Sequence, residues 1–74
     1  MSQWITLNDR TLRVDDILMV EMQMEQQEYI FTVICRSISP IKVNLHGTGG
    51  KWLYMICQRG LDEAKRGGEY YDQL

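Results

Sequence analysis

Hydrophobic and polar positions along the chain alternate with a period of two for most of its length, which predicts strands rather than helices. The densest stretch is Tyr29-Ile30-Phe31-Thr32-Val33-Ile34-Cys35-Arg36. Nearly every residue there is β-branched or aromatic, the composition that fits a pleated surface. Tyr29, Phe31, Val33 and Cys35 fall on one face; Ile30, Thr32 and Ile34 fall on the other. A half-exposed strand alternates apolar with polar, so a strand apolar on both faces expects cover on both. This stretch therefore reads as a central strand, with a core under one face and a second layer or subunit over the other.

The flanking segments arrange themselves around it. Trp4-Ile5-Thr6-Leu7 and Thr11-Leu12-Arg13-Val14 form a hairpin through Asn8-Asp9-Arg10, residue types suited to turns. Asp15-Asp16 marks a corner. Ile17 to Met24 then sets Leu18, Val20, Met22 and Met24 against Met19, Glu21 and Gln23, a half-buried strand. Glu25 to Glu28 is the tip of the next hairpin, without the Asn-Gly pair that dictates a tight turn. Pro40 cannot donate to a ladder and opens the next strand or lies on an edge. In that strand Ile41, Val43 and Leu45 alternate with Lys42, Asn44 and His46. Gly47-Thr48-Gly49-Gly50 reads as a hairpin loop, followed by Lys51 to Cys57 as a second strand apolar on both sides. Leu61 to Arg66 carries acids early and bases late, which suits a short helix, and Gly67-Gly68 stops it.

The architecture expected from this pattern is mainly β within a small α+β domain. Five or six antiparallel strands form a curled or barrel-like sheet, with one short C-terminal helix. Residues 1–74 make one domain, and 67–74 form a flexible or partner-docking tail. One helix of two turns cannot cover two double-faced strands, so a homo-oligomer, dimer or larger, is expected.

Charge and cysteines narrow the function classes. The net charge of −2 argues against a nucleic-acid or polybasic membrane binder. Its distribution is uneven. Residues 1–31 hold two Arg against six acids, and residues 32–74 hold six Lys or Arg against four. Acidic and basic surfaces of neighbouring copies could meet through such an asymmetry. Cys35 and Cys57 each stand alone in an apolar run, as buried free thiols do, although a disulfide between adjacent strands stays open for an exported protein. With a single His they make no zinc set, so no metal and no cofactor are expected. No signal peptide precedes Trp4 and no apolar run approaches the ~20 residues that span a bilayer. A soluble, cytoplasmic protein without membrane contact is the expectation.

Tests for chemistry return little. A phosphate-binding P-loop needs four residues between its first Gly and the Gly-Lys pair, then Ser or Thr opening a helix. Gly47 and Gly50 enclose two, Trp52 follows Lys51, and the next segment reads as a strand. His46 has no nucleophile beside it in sequence. Asp15-Asp16 has no third oxygen ligand at calcium-loop spacing. The remaining candidates are binding residues: Arg36, His46, Lys51 and Arg59 as cations, with Trp52, Tyr70 and Tyr71 as aromatics. Together they could hold a small anionic ligand such as a nucleotide at a subunit interface, or a protein partner; aromatics in the core and cations at strand ends explain the same residues without a ligand. Met19, Met22, Met24 and Met55 serve as pliable core filling or as a promiscuous binding surface.

Two resemblances bear on this. Val14-Asp15-Asp16-Ile17-Leu18-Met19-Val20-Glu21 resembles the opening of LytTR-type DNA-binding domains. The later strands and recognition segments of that domain do not follow, so DNA binding is not carried over. The longer layout is similar to short FlbD-type bacterial and phage proteins. There a strand like Ile5-Thr6-Leu7 leads to Leu12-Arg13-Val14, then Ile17 to Glu21, and a helix like Leu61-Asp62-Glu63-Ala64 closes the chain. The present sequence departs in its longer 37–50 section. The resemblance implies a small β-sheet regulatory or accessory protein and assigns no functional residue. The function expected is non-enzymatic: a regulatory or inhibitory protein that binds another protein as a homo-oligomer. The alternatives are a module that holds a small anionic ligand at a subunit interface, or a nucleic-acid-binding accessory protein that uses the basic C-terminal half.

Overall fold

The computed structural model describes residues 3–66. Gly67 to Leu74, including the stop glycines, the proposed tail and both Tyr70 and Tyr71, lie outside the described residues. Strands β1 (Trp4–Leu7) and β2 (Arg10–Arg13) form a hairpin, a 3-10 turn (Val14–Asp16) follows, and β3 (Ile17–Glu25), β4 (Glu28–Cys35) and β5 (Ile41–Asn44) make a meander. Helices α1 (Gly50–Arg59) and α2 (Leu61–Lys65) complete the described residues. The architecture is mainly β, and all strand pairs are antiparallel.

The strands divide into one sheet of two and one of three, with order β3-β4-β5 in the larger. No barrel closes. The stretch Tyr29 to Arg36 supplies the central strand, as its composition predicts. Phe31, Val33 and Cys35 are buried on the core face, where Ile41 and Val43 of β5 join them. The first hairpin adds Leu7 and Leu12, and the 3-10 turn adds Val14. Each fully buried aliphatic or aromatic side chain contributes about 1.5–3 kcal/mol relative to exposure.

The segment from Lys51 to Cys57 is helix, not strand. Trp52, Leu53 and Ile56 are buried while Cys57 is exposed, the i, i+1, i+4 spacing of a helix face. α1 lies on the core face of the sheet, and the Tyr54 ring meets Tyr29 at 5.8 Å between centroids. The described residues thus hold two helices rather than one, and α1 takes part of the expected apolar surplus inside the molecule. The glycine segment becomes a strand-to-helix turn. Gly49 takes φ +86° as the residue before α1, and a Cβ on Gly50 would strike the carbonyl oxygens of Asn44 and Leu45. Only a residue without Cβ lets the backbone pass so closely.

Two local devices set the strand faces. A bulge between Ile17 and Met19 shifts the register of β3, so that Ile17 is fully buried and Leu18 is 51% exposed. The expected face of Leu18, Val20, Met22 and Met24 is corrected at its first member, because the bulge inserts one unpaired residue. Met22 and Met24 do lie opposite Phe31 and Tyr29, but they remain exposed and fill no core. The hairpin tip turns through Gln26 (φ +50°) and Gln27 (φ +66°). Positive φ at both central residues is the tight turn that matches strand twist, here made without Asn-Gly.

The first hairpin is clipped to the rest by Asn8. Its backbone N–H donates to Thr48 O at 3.1 Å, and its side-chain amide donates to Lys42 O at 2.9 Å. Asn8 itself stands at φ +57°, a conformation Asn tolerates better than most residues.

Candidate functional site

The side of the β3-β4-β5 sheet opposite α1 is open. Residues directly across an antiparallel pair share a face, so the register defines three rows. Met19 sits beside Ile34; Glu21, Thr32 and Lys42 form the middle row; Gln23, Ile30 and Asn44 form the third. Ile30, Thr32 and Ile34 are half-buried by their neighbours within the sheet, and Met19 is 47% exposed. None of the described elements packs over them. The centre of this face is apolar, its β3 side carries Glu21 and its β5 side carries Lys42. Neither charge has an ion-pair partner among the described residues.

The core face has its own exposed patch. Beyond α1, Met22 (43% exposed) and Met24 (59%) project on the β3–β4 hairpin. A cleft of about 840 Å³ runs along the outer edge of β3, lined by Leu18, Val20, Cys57, Arg59, Leu61 and Arg66 among others. A smaller hollow of about 330 Å³ lies beside the first hairpin, between Trp4, Arg10, Leu12 and Ile38.

The cations expected to gather around a ligand do not come together: Lys51 and Arg59 stand at opposite ends of α1, and Arg36 and His46 lie on other segments. Arg36 follows β4, with its N–H donating to Asp16 O at 2.8 Å. His46 borders a shallow hollow with Asn8, Lys42 and Asn44. Lys51 is in the first turn of α1, and Arg59 is in its last turn, on the β3 cleft. Trp52 is corrected outright: at 0% exposure it is core and cannot reach a ligand. Lys51 now opens a helix, which removes one of the objections to a phosphate loop, but the two-residue glycine spacing still departs from that motif.

The thiols also separate. Cys35 is buried and Cys57 exposed, both free. Burial pushes the Cys35 thiol above its ordinary range, with the Asp16 carboxylate adding to it, and partial desolvation raises Cys57. Among the described residues no group of three or more His, Cys, Asp or Glu could hold a metal ion, and no helix is long and apolar enough to cross a membrane.

Sequence reasoning singled out Ile30, Thr32 and Ile34 but missed Glu21 and Lys42. Their relation appears only with the register, which brings together residues 21 positions apart in sequence. Comparison with family models, with curated proteins and with solved structures found no match.

Proposed function

We propose that this chain is a non-enzymatic interaction protein that works as a homo-oligomer and acts, in a regulatory or inhibitory role, by binding another protein. One observation carries the reading: Ile30, Thr32 and Ile34, extended by Met19, form an apolar strip on the open face that no described element covers. An uncovered apolar sheet face is an aggregation hazard unless something occupies it. Self-association removes that hazard. Met22, Met24 and Leu18 then remain on the outside, and flexible thioethers suit a surface that adapts to a protein partner.

A cytoplasmic setting is part of the proposal, supported by two cysteines that stay free in the fold. The regulatory role and a phage or bacterial origin rest on the similarity to short FlbD-type proteins. Light scattering on the purified full chain tests the core of this reading. A mass of twice the chain or more at roughly 100 µM is expected, since small interfaces give micromolar association. A single-chain mass at that concentration refutes it.

A further inference from the structure

The open face has a charge pattern that distinguishes ways of pairing it with itself. Two sheets stacked face to face by a two-fold axis require that axis to lie in the plane between them. It can run along the strands or across them. An axis along β4 exchanges the outer strands, so β3 of one copy lies over β5 of the other and every row keeps its height. An axis across the strands through the middle row lays each strand over its own counterpart.

The middle row decides between the two. It reads Glu21, Thr32, Lys42 from β3 to β5. Exchange of the outer strands brings carboxylate over ammonium twice, once at each side of the apolar centre. The crossed arrangement stacks Glu21 on Glu21 and Lys42 on Lys42, and like charges face to face are unfavourable. The other rows agree with the exchange: Ile30 meets Ile30, Ile34 meets Ile34, and Gln23 faces Asn44 with complementary donors and acceptors. Stacked sheets lie about 10 Å apart, a gap that a Glu and a Lys side chain reaching from opposite sides can close. Aligned packing rotates the sheets by only about 30°, which keeps residues near the axis opposed.

We propose that two copies of this chain stack the open faces of their β3-β4-β5 sheets about a two-fold axis along β4, with Glu21 of each copy over Lys42 of the partner subunit. The proposal rests on the self-association reading above and specifies its face, symmetry and contacts. The interface is isologous, so every contact off the axis, the Glu21–Lys42 pair included, occurs twice. A single charge reversal therefore turns two attractions into two repulsions.

The test uses light scattering and sedimentation on the full chain, with circular dichroism to confirm folding. Glu21→Lys and Lys42→Glu each weaken dimerisation by about tenfold or more, as two altered rim pairs of ordinary strength imply. The double variant recovers wild-type association. Mixing the two single variants gives a heterodimer, because each now carries the charge the other needs. Should a reversal disturb folding, Glu21→Gln and Lys42→Gln give the same ranking with smaller losses. A wild-type dimer or larger assembly indifferent to these changes, or a double variant that stays weak, overturns the proposed geometry and leaves self-association standing. A wild-type monomer overturns both.

Discussion

Replacing Gly50 by Ala probes the point where β5 gives way to α1. The added methyl would fall on the backbone carbonyl oxygens of Asn44 and Leu45 and within 2.6 Å of the Leu45 carbonyl carbon. Flexible side-chain ends can retreat from such a clash, but these are main-chain atoms of the turn itself. Forcing extra carbon into a packed site costs about 1–3 kcal/mol and more when backbone must shift, so about 3–4 kcal/mol is expected. A 74-residue domain has about 4–11 kcal/mol of total stability, and most of a modest reserve would be lost. Gly60→Ala is the control. Its Cβ meets nothing within 4 Å, so only the left-handed φ of +105° is strained, at about 1–2 kcal/mol. Urea unfolding followed by circular dichroism reads both, as a fall in midpoint at constant slope. If Gly50→Ala lies within about 0.5 kcal/mol of wild type, or costs less than Gly60→Ala, the close approach is wrong. That outcome would fit an open loop between two strands and would reinstate Lys51 to Cys57 as strand.

Two further outcomes follow from the tip and the thiols. Gln26→Asn combined with Gln27→Gly relieves two positive-φ residues and stabilises the hairpin by about 1–2 kcal/mol, seen as a melting temperature higher by about 4–16 °C; no gain would mean that the turn is not of this type. In alkylation of the native protein Cys57 reacts and Cys35 does not, and the Cys57 rate keeps climbing past the ordinary thiol range of about pH 8.5. For Cys35 the folded pKa is raised above the unfolded one. Its contribution is therefore complete below the unfolded value and lost as pH rises through the folded value, so urea midpoints fall on the alkaline side; a midpoint unchanged between neutral pH and pH 10 would refute the shift.

The sequence was most legible where composition and period agree. Ile30, Thr32, Val33 and Ile34 are β-branched and alternate faces, and β4 stands where they predict. Lys51 to Arg59 shows the failure. Its apolar run Trp52 to Cys57 satisfies periods of two and 3.6 equally, and the strand reading weighed hydrophobicity alone. Ile56 is the one β-branched residue in that segment, while Lys51, Leu53, Met55, Gln58 and Arg59 are good helix formers. That contrast with β4 was available. The β3 bulge was not, since nothing local to Ile17-Leu18-Met19 marks an inserted residue. The open face was half legible. Its apolar strip came from the alternation within β4, but the opposed charges depend on which residues of β3 and β5 lie beside Thr32.

The clip made by Asn8 has a consequence for the order of events as the chain is made. Every strand pairs with its neighbour in sequence, β1 with β2, β3 with β4 and β4 with β5, and such local connectivity favours rapid folding. The amino-terminal ribbon alone must wait, because its anchors are the carbonyls of Lys42 and Thr48. The clip that holds this hairpin thus cannot close until residues 42 and 48 have been made.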